Sequence, residues 1–401
     1  MRFKTRILSL LTIITLCVEG VSASSTHLCT DSLQVADSLC VADSLMVHQS
    51  DSIVENKSDS VSNHKLPWYF QLVENGFRIH DPNVNYPKFA RFLLKVYDWG
   101  DKTFNSYDPQ YVVGSGKNWK LTLNNYNWME SYMMLFSLKN NQMLHMHSDL
   151  YCDVGAHISF MAVGIGYTAK MNELMGGGKK DRQNLNLSFT CSRIFANFDM
   201  MSTNGNTVIT EFGQYKDGES IDLEFNDVKH SSVSGEAFYI FNFSQYSHAA
   251  AYCFSKYQLK SAGSWLLGFE FNNQEIEFDF SNLPDEMKQY LPDLSANYYY
   301  RYTDYGVCGG YAHNWALKPK KWLANITIYP SVGYRHSYHD STDRRRHMVS
   351  TSIHGRFAFV YNHKALFASL NGRFDGNMHF NSKYSFFNAV ESLSLIVGAR
   401  F

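Results

Sequence analysis

The run Arg335-His336-Ser337-Tyr338-His339-Asp340-Ser341, followed by Arg344-Arg345-Arg346, brings a base, a hydroxyl and three cations into one short stretch. A histidine beside a serine at a strand end is the pairing in which imidazole serves as base for a serine nucleophile. Next to an outer membrane leaflet, that chemistry would be hydrolysis of lipid, as in a lipid A or phospholipid deacylase. His339-x-Ser341 puts both side chains on one face if the strand continues, with Asp343 or Glu391 to orient the base. Spacing alone states the chemistry without establishing it, because a triad is defined by geometry. The three arginines suit lipopolysaccharide phosphates. The plainer reading of the whole cluster is a solvated loop tip.

A second set carries charge without a nucleophile. Arg335, His354, Arg356, Arg373, Arg400 and Glu270 all occupy the polar positions of alternating segments, so each shares a face with small polar neighbours. Inside a barrel this face is the lumen, where charged side chains tune passage or hold a plug. The plainer reading is a salt-bridge network that fills a medium-sized barrel. Gly176-Gly177-Gly178-Lys179 lacks the context of a phosphate loop, and His145-x-His147 has no third ligand in sequence. The sequence implies no cofactor and no metal.

The elements that hold these residues are strands. In Ala324-Ile326-Ile328-Pro330-Val332-Tyr334 one face is apolar, and Asn325, Thr327, Ser331 and Arg335 lie opposite. Residues 185–191, 265–271 and 347–361 repeat the pattern, and such period-two alternation is the signature of half-buried strands. Many segments are long enough to cross a bilayer at a tilt, which needs about 9–11 residues. Tyr and Phe near their ends suit interfacial girdles. The chain has 401 residues, 45% hydrophobic and 18% charged, with 29 Phe, 26 Tyr and 7 Trp. After the N-terminus no stretch approaches the roughly 20 apolar residues of a spanning helix. A formal charge of -1 disfavours nucleic-acid partners.

Four regions follow. Residues 1–23, with Arg2, Lys4 and Arg6 before an apolar core and Val21-Ser22-Ala23 at its end, read as a cleaved secretory signal peptide. Residues 24–66 contain no aromatic residue and repeat Asp-Ser-Leu at 31, 37 and 43, which describes a disordered low-complexity tail. Residues 67–117 form a periplasmic segment with a short amphipathic helix at 86–99, where Phe89, Phe92, Leu93 and Val96 make a stripe beside Lys88, Arg91 and Lys95. The plain reading of that stripe is packing on the domain's end, and the alternative is a membrane-surface or barrel-plugging helix. Residues 118–401 are the barrel. Its scattered cysteines, Cys152, Cys191, Cys253 and Cys308, read as small apolar strand residues.

The last strand, with Leu393, Leu395, Val397, Ala399 and Phe401 on one face, ends on an aromatic residue in the manner of bacterial barrels handed to their assembly machinery. With Phe401 at the periplasm, walking backwards gives twelve strands: 129–138, 147–157, 160–169, 184–193, 195–202, 247–257, 263–271, 305–316, 323–336, 347–361, 365–374 and 386–401. Periplasmic turns are then short and outer loops long, as such barrels require. Residues 118–127 also alternate, as a lower extension of the first strand.

Two blocks carry a family resemblance. Phe104-Asn105-Ser106-Tyr107-Asp108-Pro109-Gln110-Tyr111-Val112-Val113-Gly114-Ser115-Gly116-Lys117-Asn118-Trp119-Lys120 is one; Tyr239-Ile240-Phe241-Asn242, Tyr246-Ser247, Ala249-Ala250-Ala251-Tyr252 and Gln258-Leu259-Lys260-Ser261-Ala262-Gly263-Ser264 are the other. They resemble an uncharacterised family of exported proteins, known by a domain of unknown function and regarded as outer-membrane barrels. The similarity covers roughly residues 67–401. It implies an all-β transmembrane antiparallel up-and-down barrel in a Gram-negative outer membrane and brings no reaction. The resulting expectation is a non-enzymatic protein with a structural, binding or narrow, porin-like pore role. Its partners are outer-membrane lipid, lipopolysaccharide, the assembly machinery through Phe401 and an unidentified small solute or periplasmic protein. The alternative is the His339/Ser341 lipid hydrolase; a soluble adhesive sandwich is the third class.

Overall fold

A computed structural model describes residues 38–40, 67–75, 80–104, 106–117, 119–136, 142–160, 163–171, 182–205, 207–213, 215, 221–288, 297–342, 346–380 and 384–401. The expected signal peptide lies outside the described residues, as do the tail apart from 38–40, the glycine run at 176–179, and Asp343, Arg344 and Arg345.

The chain opens with strand β1 (Ser38–Cys40), helices α1 (Trp68–Glu74) and α2 (Lys88–Phe104), and the short β2 (Val112–Gly114). There follow β3 (Trp119–Phe136), β4 (Gln142–Ser148), β5 (Tyr151–Phe160), β6 (Val163–Lys170), β7 (Arg182–Thr190), β8 (Ile194–Asn204), β9 (Thr207–Phe212), β10 (Leu223–Phe225) and β11 (Val228–Ile240). Helix α3 (His248–Tyr252) and β12 (Lys256–Gln258) precede β13 (Ala262–Asp279), a short helix α4 (Asp285–Lys288), and five long strands. These are β14 (Asn297–Lys318), β15 (Trp322–Ser337), β16 (His347–His363), β17 (Leu366–Phe380) and β18 (Tyr384–Arg400).

The wall runs β7-β8-β11-β13-β14-β15-β16-β17-β18-β3, and every neighbour in it is antiparallel. β3 pairs with β4 along its upper half and with β5 along its lower half, so 142–160 acts as one strand broken at Asp149 and Leu150. β6 pairs with β5. Counting 142–160 once gives twelve wall strands, the expected architecture. Trp119 and Phe401 exchange both backbone hydrogen bonds, which joins the first and last strands at the end called here the near end. β6 and β7 stop at the waist; above them β9 continues the course of β8 and pairs with β4 to close the far half. Among the described residues no ladder joins β6 to β7, and β1 lies parallel against β7.

One expected strand is corrected. Residues 247–257 do not cross the wall. They form α3 and the approach to β12, with Ala249, Ala250 and Ala251 buried. The missing strand is β11, which the sequence reading placed inside the loop 203–246. The cause is physical: β11 has no face of constant polarity. Its inward positions run Val228, His230, Ser232, Ser234, Glu236, Phe238, Ile240, apolar at both ends and polar between. Residues 249–251, by contrast, are apolar because they are buried in the barrel mouth.

Strand β13 shows how the wall changes character along its length. Trp265, Leu267 and Phe269 point outward and are exposed, while Ser264, Leu266 and Gly268 face in. From residue 272 the polarity reverses: Gln274, Ile276 and Phe278 are buried inside, and Glu275 and Glu277 lie on the outer face. Tyr298, Tyr300 and Tyr302 of β14, Phe386 of β18 and Phe280 complete an apolar core within the far end. Its rings meet at 5.3 Å for Tyr300 and Phe386 and at 5.9 Å for Phe278 and Phe280. A lower band with apolar residues outside and polar residues inside is the pattern of lipid contact. An upper zone with the reverse pattern is that of an ordinary water-facing protein core.

Candidate functional site: lumen network and mouth plug

All six charged residues singled out above point inward from the wall, and the structure joins Glu270, His354 and Arg373 in one hydrogen-bonded network, with the Arg356 pair beside it. Glu270 of β13 accepts from Ser352 Oγ at 2.8 Å and from Ser331, and its Oε2 lies 2.9 Å from His354 Nε2. The other imidazole nitrogen, Nδ1, is 2.7 Å from Asp375 Oδ1. Asp375 is held in turn by Arg373 Nε, and the guanidinium of Arg373 reaches across to both oxygens of Asp199 at 3.0 and 2.8 Å. Arg356 pairs with Glu236, which also accepts from Tyr329 Oη at 2.9 Å and Asn197 Nδ2 at 2.6 Å. Asp199 and Glu236 stand on β8 and β11, and Arg356 and Arg373 on β16 and β17. These bridges therefore span the lumen rather than follow the wall.

Arg335 sits higher and apart. It is buried, donates to Asp304 Oδ1 from Nε at 2.7 Å and to Oδ2 from Nη2 at 2.6 Å, and packs over the Tyr302 ring at 3.9 Å. Its Nη1 lies 2.6 Å from His379 Nδ1. Below the far core a further buried group, absent from the sequence reading, centres on Glu130. That carboxylate meets His230 Nδ1 at 2.9 Å, Tyr132 Oη at 2.8 Å and Thr203 Oγ1 at 3.0 Å. Asp375 was legible as the same-face neighbour of Arg373. Glu236 and His230 were lost with their strand.

The near end is filled by the connection 241–261. Asn314 Nδ2 donates to the carbonyl of Ser247 at 2.8 Å, and Tyr252 Oη donates to Asn325 Oδ1 at 2.7 Å. Lys120 Nζ donates to Cys253 O at 3.0 Å. Arg400, the remaining expected inward charge, donates to the carbonyl of Phe254 at 2.7 Å and to Asn362 Oδ1 at 2.7 Å. Beneath, β2 pairs with β12, so residues 112–114 lie under this plug. Between plug and wall remains a cavity of about 380 Å³, reached by Lys120, Asn124, His157, Tyr252, Arg356 and Arg373.

His248 stacks on Phe195 at 4.1 Å inside the plug, and its imidazole is pushed down to about 3 by burial and by the Arg356 charge. The undocked ring takes a proton below its ordinary value of about 6.5. Its folded value is depressed, so between pH 6.5 and 3 the undocked form binds more protons and docking weakens as pH falls. The expected result is acid-induced opening of the mouth, by up to about tenfold per pH unit in this window. In bilayer recordings His248→Gln should show a shallower pH dependence; an identical profile would reject this role.

The proposed hydrolase pair is not assembled as the spacing suggested. β15 ends at Ser337, and residues 338–341 turn, with Ser341 N donating to Tyr338 O. Ser341 is buried; its hydroxyl donates to Tyr299 O and accepts from Arg301 N, while His339 is exposed. Glu391 lies on the outer face of β18, paired with Phe374 and Met129 rather than beside this turn.

Comparison with known proteins adds a family. Among curated proteins nothing matches the chain. Solved structures with a similar course include the outer membrane protease OmpT of Escherichia coli, at 8% identity and TM-score 0.29 over 74% of this chain and 98% of that one. The translocator domain of the autotransporter NalP from Neisseria meningitidis matches at 9% and 0.25 over 78% and 96%. The P. putida toluene transporter TodX matches at 6% and 0.21 over 71% and 90%. At these scores the likeness bears on no residue of this chain. A family model does match, and it begins at residue 106, after α2 and not at the expected residue 67. From the segment under the mouth to the final strand, residues 106–401, the chain belongs to the family of Domain of unknown function DUF4421.

Proposed function

We propose that this protein is a bacterial outer-membrane β-barrel with a blocked lumen, serving a structural or small-solute-binding role without an enzymatic step. The observation that carries this reading is the plug 241–261, bound into the near mouth by Asn314, Asn325, Lys120 and Arg400 beneath cross-lumen bridges. Apolar outward residues such as Trp265, Phe269, Ile328 and Val349 support a lipid setting. The near end then faces the periplasm, Phe401 is offered to the assembly machinery, residues 1–23 are removed on export, and the exposed Arg346 borders lipopolysaccharide. The hydrolase reading has less support, because the Ser341 hydroxyl is committed to the 299–301 backbone.

Planar-bilayer recording tests the proposal. At neutral pH the purified protein should be silent. Replacing residues 243–259 by a short glycine-serine turn should produce steady channels, whereas deleting 67–104 should not. Sustained conductance by the unaltered protein at neutral pH would sink the blocked-lumen reading. Absence of heat-modifiable migration, or recovery as a soluble monomer, would sink the barrel's membrane placement.

A further inference from the structure

Two residues of the α2 stripe that the sequence assigned to packing, Phe89 and Phe92, are exposed. Ala90 and Leu94 pack with Trp68, Leu72, Val84 and Tyr86 in a small core against α1. Arg91 Nε caps that arrangement by donating to Tyr86 O at 2.8 Å. Phe89, Phe92 and Trp99 are 72%, 61% and 64% exposed. At 100° per residue these three lie within one arc of the helix, and Lys88, Lys95 and Arg91 fall in the arc beside it. The helix carries four basic and two acidic residues. An aromatic face bordered by a basic strip is the design of a helix lying in a membrane interface, rings in the acyl boundary and cations at the phosphates.

The chain also fixes where this helix can lie. Asp108 N donates to Ser244 O at 2.8 Å, and β2 is paired beneath the plug, so the backbone is pinned at the mouth four residues after α2 ends at Phe104. Four residues reach at most about 14 Å, and a helix of 17 residues is about 25 Å long. A segment so short-tethered to a membrane-embedded mouth stays beside the bilayer surface. At the near rim, Trp119 and Phe401 are stacked at 6.4 Å, aromatic rings of the kind that suit a membrane interface.

We propose that α2 binds the periplasmic leaflet of the outer membrane, inserting Phe89, Phe92 and Trp99 among acyl chains while Lys88, Arg91 and Lys95 engage anionic headgroups. This rests on the barrel being in that membrane, with its near end in the periplasm. The attachment holds the α1–α2 unit flat at the mouth, beside the plug.

The test uses the full chain in nanodiscs of phosphatidylcholine with or without phosphatidylglycerol, doped with lipid brominated in the upper acyl chain. Subtracting the emission of Trp99→Phe from that of the unaltered protein isolates Trp99. Its emission is expected to be blue-shifted, quenched at least about twofold by brominated lipid, and little affected by aqueous acrylamide, as for a ring within the headgroup and acyl boundary. With Lys88→Glu and Lys95→Glu, attachment to anionic discs should weaken roughly fivefold per lost charge. Quenching by acrylamide alone overturns the proposal, and shielding from both quenchers does so in favour of a protein partner. Unchanged quenching in the charge-reversed variant on anionic discs also overturns it. Heat-modifiable migration of the same samples separates the two readings: its loss counts against membrane insertion of the barrel, its retention with a water-exposed Trp99 against this helix alone.

Discussion

Arg335→Met is expected to be among the most destabilising single changes in the barrel, costing about 3–5 kcal/mol, because it leaves a buried carboxylate without its counter-charge. Asp304 is 4% exposed and receives both of its short charge-assisted hydrogen bonds from Arg335. Methionine retains much of the packing over Tyr302 and removes the donors. Adding Asp304→Leu should recover most of the loss, since a buried pair replaced as a unit by apolar side chains is often neutral. Arg301→Ala is the control. Its ion pair with Asp340, at 3.1 Å, lies in water, and no measurable change is expected. Urea unfolding in micelles, followed by the gel shift between folded and unfolded barrel, reads all four proteins. A mild Arg335→Met, or a double variant no better than the single, would mean that the Arg335 network adds little to the fold.

Phe269→Arg and Glu275→Arg form the second comparison. Both residues point outward from β13, six positions apart, and differ only in height along the strand. An arginine placed on the lipid face near the bilayer midplane costs about 2–4 kcal/mol and near or beyond the interface about 0–1. Phe269 sits in the apolar band with Trp265 and Leu267, whereas Glu275 has Tyr299 Oη donating to it at 2.7 Å among polar neighbours. Phe269→Arg should therefore reduce folded barrel strongly and Glu275→Arg hardly at all. Equal effects would contradict a membrane boundary near residue 272, and with it the water-facing character of the far end.

That boundary explains much of what could be read in advance. On β15 the alternation holds from Ala324 to Arg335 because one face meets lipid and the other the lumen along that whole length. Strand type, parity and the inward direction of His354, Arg356 and Arg373 follow from such a pattern. β11 resists the same reading because its inner face serves three surroundings in turn, the far core, the polar waist and the plug. Residues 247–257 mislead for the opposite reason. Burial in the mouth selects the same small apolar residues as contact with lipid, and the two cannot be told apart by period alone.

The helix α2 makes the same point in another way. Its amphipathic stripe was plain, and which stripe packs was not. Spacing identifies a face, but only the position of α1 decides that Ala90 and Leu94 are packed while Phe89 and Phe92 stay exposed.

By itself, then, the sequence determined an antiparallel barrel of about twelve strands, its apolar outer face and the charged character of its interior, because each depends on a period-two pattern carried within single segments. Tertiary structure alone decided that Glu236 meets Arg356, that Asp199 meets Arg373 across the lumen, and that 241–261 turns inward to fill the mouth. These contacts join positions 120, 174 and more than a hundred residues apart in sequence. No local periodicity encodes such a distance; curling the sheet into a barrel brings opposite walls within reach of one arginine side chain.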